Sequence, residues 1–223
     1  MSDLAREAPR PPAAWTGAAR MLAQGARRTV GRAPRVLAVL LVLYVAVYGM
    51  RYVVLGWWAW IPMLAASFEQ RPWAIMLHAL GGALVLTAGL LQFHPGLRRR
   101  VPAFHRAAGW LYAAAALLAG GAGLHLAAHS AGGWPTHFGF GLLGLATLGT
   151  TAHATRLAVR RELPAHRRWM VRSYALVCAA VTLRLELPLL SAAFGPMLGY
   201  QLVSWACWLP NVGWAEWWLR RRD

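Results

Sequence analysis

Long apolar runs interrupted by clusters of arginine leave this chain one kind of fold. A bilayer core about 30 Å thick takes about 20 residues of helix at 1.5 Å each. Six stretches pass that filter: Val36–Trp58, Trp73–Phe93, Phe104–Ala127, His137–Leu157, Trp169–Leu190 and Met197–Trp217. In lipid every backbone N–H and C=O has to be satisfied within its own segment, so runs of this length become helices. The expected fold class is all-α, a polytopic membrane protein of six transmembrane helices. With 58% hydrophobic and only 13% charged residues, the chain lies far from a soluble domain.

The arginines give the orientation. All 23 basic residues are Arg, grouped between the apolar runs: seven before Val36, four from Arg98 to Arg106, six from Arg156 to Arg172 and three at the C-terminal end. In an alternating topology these groups share one side. The opposite loops hold Arg71 beside Glu69 and then no charge in AHSAGGWPT or SAAFGP. The side rich in arginine is cytoplasmic, which predicts a bacterial inner-membrane protein with both termini inside. Residues 1–35 read as a basic, disordered cytoplasmic tail that meets anionic lipid headgroups through Arg27, Arg28, Arg32 and Arg35. Residues 36–217 form one transmembrane domain, and residues 218–223 a basic cytoplasmic end. The first apolar run continues through Arg51 and Tyr52 into Trp57, Trp58 and Trp60, the pattern of an uncleaved span rather than a signal peptide. The partner expected is the bilayer. A nucleic-acid partner is excluded, because the net charge of +16 sits in membrane flanks and not on one face of a folded domain. Cys178 and Cys207 fall inside apolar runs as small core residues, with no CxxC pair.

A second feature is internal repetition. HALGGALVLTAGLLQFH (His78–His94) and HFGFGLLGLATLGTTAH (His137–His153) place two histidines at the same separation, since 94 − 78 = 153 − 137 = 16. Gly82 then matches Gly141, Leu84 matches Leu143, and the copies end in RRRVPAFHR and RRELPAHRR. We read residues 78–106 and 137–167 as a duplicated two-helix hairpin that builds a central four-helix core. Parallel copies generate a pseudo-two-fold axis along the membrane normal. Equivalent residues then face each other, His78 with His137 near the outer side and His105 with His166 near the inner side. That geometry suits two bis-histidine haem b sites.

Other residues follow from the same picture. Gly81, Gly82, Val85, Gly89 and Gln92 share the face of His78, and Gly109, Tyr112, Ala116 and Gly123 that of His105; small residues let a helix or a flat cofactor approach. Arg172 is placed to hold an inner haem propionate or to anchor the interface with Trp169, Met170 and Tyr174. Arg184, on the face of His166 and 184 − 166 = 18 residues on, is placed for an outer propionate or for an ion pair with Glu186 or Glu69. Glu216 is expected to pair with an arginine of the cytoplasmic face. His125 and His129, at i and i+4, offer zinc or copper a second kind of site with His78 and His137. No HExxH glutamate accompanies them. His94 and His153 lie at the inner interface and need no ligand. There is no phosphate loop, no GxSxG elbow and no paired carboxylates, so no catalytic residue is assigned.

In arrangement the chain resembles the transmembrane di-haem cytochromes of the b-561 type over about Trp73 to Leu190. Residue by residue, HALGGALVLTAGLLQF, PAFHRAAGWLY, HRRWMVRSYALVCAAVTLRLELPL and WACWLPNVGWAEW resemble the bacterial multi-pass family DUF2306. The first resemblance implies electron transfer between an inner and an outer haem, to or from quinone or a redox partner. The second implies an integral membrane protein and carries over no catalytic residue. Two other functions fit the same residues: a non-redox permease or channel using Arg51, Arg184 and Glu186, and an outer-face metal site at His78, His125, His129 and His137.

Overall fold

Proline marks where most helices of this chain begin. It lacks the N–H that a first turn leaves unpaired, and its fixed φ suits that position. The computed structural model describes residues 13–56 and 69–222, with side-chain surroundings from residue 33 onward. Its helices are α1 (Ala13–Val54), α2 (Pro72–Gln92), α3 (Pro95–Arg100), α4 (Pro102–Ala127), α5 (Trp134–Val159), α6 (Leu163–Val177), α7 (Ala179–Phe194), α8 (Pro196–Ala206) and α9 (Leu209–Arg220). Proline stands in the first turn of α2, α3, α4, α5, α6, α8 and α9. No strand occurs among the described residues. The protein is all-helical, as its apolar runs require.

Two compact units are distinguished, Met1–Leu40 and Leu41–Asp223. In the first, helical backbone begins at Ala13, inside the segment expected to be without order, and residues 33–40 are exposed. The tryptophan cluster Trp57, Trp58 and Trp60, and with it the end of the first expected span, lies outside the described residues.

In the second unit α2 packs along α4, α4 against α5, α5 against α6, and α6 back against α2, so these four close a ring. What lines it is small. Ala83, Ala88, Ala108, Ala115, Ala116, Ala119 and Ala154 are buried, while Trp73, Leu117 and Leu189 are 75%, 62% and 69% exposed. Water would not tolerate so many large apolar side chains outside and alanine inside; lipid does, because close packing of small residues is what joins helices there. Between α7 and α8 the chain reverses at Gly195, whose φ of +84° is one that glycine takes without strain. Then α8 returns along α7, and its Gln201 Nε2 and Trp205 Nε1 donate to Gly132 O at 3.0 Å and Pro135 O at 3.1 Å.

Among the described residues four helices are long and apolar enough to cross a membrane: Ala33–Val54, Pro72–Gln92, Pro102–Ala127 and Leu163–Phe194, the last running through α6 and α7. Two of the six expected spans therefore differ from the expectation. Helix α5 has 26 residues, yet threonines, histidines and glycines dilute its apolar character. Thr147, Thr150 and Thr155 turn their hydroxyls back onto the carbonyls of Leu143, Ala146 and Thr151, at 2.7, 2.7 and 2.8 Å, so they leave no open hydroxyl donor. The last expected span is split into α8 and α9 at Cys207–Trp208. Trp208 precedes Leu209 and Pro210, and a proline there cannot continue the ladder of α8.

Candidate functional site

Two histidines stand where α4 and α6 start, at the arginine-rich end of the ring. His105 lies in the first turn of α4 after Pro102, and His166 in the first turn of α6 after Pro164. Both are half-buried. His166 is within electrostatic reach of His105, as are Arg98 and Arg106. The repeated HR motif predicts these two histidines as partners. His166 Nδ1 lies 2.8 Å from the carbonyl oxygen of Ala154 on α5; with Nδ1 donating, the lone pair is left on Nε2. The Nδ1 of His105 is buried with no partner, which is costly for a polar atom. Gln92 Nε2 donates to His105 O at 3.0 Å and fastens the end of α2 to this turn.

Deeper in the ring lies a chain of hydroxyls. Tyr112 of α4 and Ser173 of α6 share a hydrogen bond of 2.8 Å, and Ser173 and Thr151 of α5 one of 2.7 Å. All three are at most 3% exposed. Beside them Tyr174 donates to Leu86 O at 3.0 Å, and its ring fills the space where Gly89 has no side chain. Sequence reasoning placed Tyr112 on the face of His105 but missed Ser173 and Thr151. Their partners are 61 and 22 residues away, and nothing local distinguishes them from back-bonded hydroxyls.

Arg172 donates from Nε and Nη2 to both carboxylate oxygens of Glu216 on α9, at 2.5 and 2.9 Å, and its guanidinium lies 4.9 Å from the centre of the Trp169 ring. His153 meets the same ring edge-on at 4.4 Å. Glu216 has the arginine partner expected of it, and Arg172 is engaged by a carboxylate of the chain itself. Arg172→Met is expected to cost about 1 kcal/mol, and Glu216→Gln in that background almost nothing further, because the pair is only partly buried. Thermal unfolding of the single and double variants checks this coupling.

At the other end of the ring the histidines have separate partners. His78 Nδ1 lies 2.8 Å from Ala119 O, with its ring against Gly123. His137 Nε2 lies 3.1 Å from Ser130 O, with its ring edge-on to Trp134. His125 and His129 are exposed, their rings tilted with centres 4.8 Å apart, and His129 Nδ1 lies against His125 O at 2.8 Å. Among the described residues no three His, Cys, Asp or Glu side chains are grouped to hold a metal ion, so the set His78, His125, His129 and His137 is not gathered into one site. His94 caps α3, accepting from Leu97 N at 3.1 Å.

Arg184 has neither of the carboxylates expected for it. Its Nη1 donates to Ala180 O at 2.8 Å one turn back on α7, and its guanidinium lies 5.6 Å from the centre of the Tyr48 ring on α1. Glu186, two residues on, is turned about 200° around the helix and bears instead on Cys207. The signal that could have found Tyr48 is the tyrosine row Tyr44, Tyr48 and Tyr52, one helical turn apart.

No curated protein and no solved structure matches the chain. The profile of the family described as predicted membrane protein (DUF2306) matches residues 75–219, from α2 into α9, and so covers the ring, the His105–His166 pair and the Arg172–Glu216 bridge. The chain belongs to the DUF2306 family of membrane proteins.

Proposed function

We propose that the chain is a b-type electron carrier of the bacterial inner membrane, with one haem held by His105 and His166. The observation that carries the reading is the pair itself: two imidazoles from two helices of one ring, one with a buried nitrogen that has no partner. A ligating histidine characteristically donates its other N–H to a carbonyl, which fixes ring and tautomer. Ala154 O serves His166 in that way. Gly109, one turn beyond His105, faces only the Gln92 side chain at 3.5 Å, so that wall can yield to a flat ring. Arg98 and Arg106 supply charge for propionates. The hydroxyl chain of Tyr112, Ser173 and Thr151 satisfies the polar groups deeper in the ring and leaves it closed to water. Haem b bound at the pair would supply a one-electron iron couple. The electron partner is a quinone from the bilayer or a redox protein.

The same reading takes six spans, both termini cytoplasmic, and a hairpin duplicated as α2–α4 and α5–α7. Two facts support it. Helix α5 is as long as α4, at 26 residues each. Helices α8 and α9 cover residues 196–220, 25 residues, or about 37 Å if helical throughout. A second haem at His78 and His137 is not part of the proposal, since each of them faces a different carbonyl.

The test is an optical spectrum of the detergent-purified protein, oxidised and dithionite-reduced, beside four single variants. A Soret band with a sharp reduced α-band is expected in the wild type, absent in His105→Ala and His166→Ala and retained in His78→Ala and His137→Ala. Colourless protein, or colour that survives both His105→Ala and His166→Ala, overturns the assignment.

A further inference from the structure

We propose a second site, independent of the haem reading: Arg184, with Arg51 beside the same Tyr48 ring, binds the phosphate or carboxylate of an anionic amphiphile. The guanidinium carbons of Arg51 and Arg184 lie 4.0 and 5.6 Å from the centre of that one ring, and Arg51 also lies 4.8 Å from the Tyr52 ring. The ionisable groups that bear on Arg184 are Tyr52, Tyr48, Arg51 and Tyr44, with His78 also in reach, and no carboxylate is among them. Four acids occur among the described residues. Glu216 is bonded to Arg172, Glu186 bears on Cys207 with its Oε2 buried and without a partner, and Glu162 precedes α6 at the arginine-rich end. Glu69 is exposed just before α2.

The geometry of Arg184 says what the site lacks. Its Nη1 is spent on Ala180 O, and its Nε is buried with no partner. A guanidinium inside an apolar span is costly until an anion or a strong acceptor meets it. An oxyanion suits the planar fork of arginine best, because charge-assisted bonds to it are about twice as strong as neutral ones. Around the pair, Val47, Tyr44 and Leu185 are 72%, 61% and 51% exposed, side chains that face lipid in a membrane protein. A ligand arriving there meets acyl chains before it meets the charges, which favours a headgroup carried on an apolar tail over a free ion.

The test uses the full-length detergent-purified protein and three probes: dioleoyl phosphatidylglycerol, oleate and inorganic phosphate, with dioleoyl phosphatidylcholine as the zwitterionic control. At a hundredfold excess over Kd, phosphatidylglycerol or oleate is expected to raise the thermal midpoint by about 5 °C or more. Phosphatidylcholine should give no such shift. In Arg184→Gln the apparent affinity falls about tenfold or more, whereas Arg184→Lys, which keeps the charge, retains part of it. Arg156→Gln, an exposed arginine of the other end, leaves it unchanged. Should Arg184→Gln fail to fold, Arg51→Gln reads the same loss. Inorganic phosphate as effective as the lipid makes the occupant a small anion and overturns the amphiphile. Equal shifts with phosphatidylcholine, no shift with any probe, or full affinity in both glutamine variants overturns the site.

Discussion

Gly81→Val is expected to lower the thermal midpoint of the purified protein by about 6–12 °C, which corresponds to about 3 kcal/mol at 2–4 °C per kcal/mol. A Cβ at Gly81 would lie 2.7 Å from the backbone nitrogen of Ala119 and 2.9 Å from the carbonyl oxygen of Ala115. Both atoms belong to the backbone of α4, so no side chain can swing aside; the two helices must part. Their separation also pulls His78 away from Ala119 O and loosens Gln92 from His105 O, so the damage is not confined to one turn. Gly82 is the control. No atom lies within 4 Å of a Cβ there, and Gly82→Val should leave the midpoint within about 2 °C of wild type. Circular dichroism melts of both variants in one detergent decide the point, and equal stability would contradict the packing of α2 on α4.

Tyr112→Ala is expected to cost about 3–5 kcal/mol, the range for emptying the space of a buried aromatic ring. Tyr112 is 1% exposed and stands against α6, where its hydroxyl meets Ser173. Tyr112→Phe isolates the polar part of that cost. Ser173 keeps Thr151 at 2.7 Å, so no hydroxyl is stranded and the loss falls to about 1 kcal/mol. A phenylalanine variant as damaged as the alanine variant would mean that the hydroxyl chain, and not the ring volume, holds α4 to α6.

The expected helices α2 and α4 are found within two residues of their apolar runs, because Pro72 and Pro102 announce their starts. The place of His105 and His166 in the first turns of α4 and α6 was legible too, through the matched PAFHR and PAHRR motifs. The break that splits the last expected span into α8 and α9 was not foreseen, although Pro210 carried the warning. Contacts at long range were the hard part. Ser173 and Thr151 look like ordinary span hydroxyls until α5 and α6 are laid side by side. Arg184 was expected to meet a haem propionate, Glu186 or Glu69; the helix turn between Arg184 and Glu186 puts those two on nearly opposite faces and leaves a tyrosine of α1 as the neighbour. Histidines at matching repeat positions need not match in role: His78 and His137 meet different carbonyls because α2 is held to α4 by its glycines, while His137 sits beside a loop.

The most direct measurement on the central claim is the ratio of haem to protein chain in wild-type material, from pyridine haemochrome absorbance and quantitative amino-acid analysis of one sample. The inner pair predicts one haem b per chain. A ratio near zero would contradict electron transfer through this pair, and a ratio near two would show that His78 and His137 also come together.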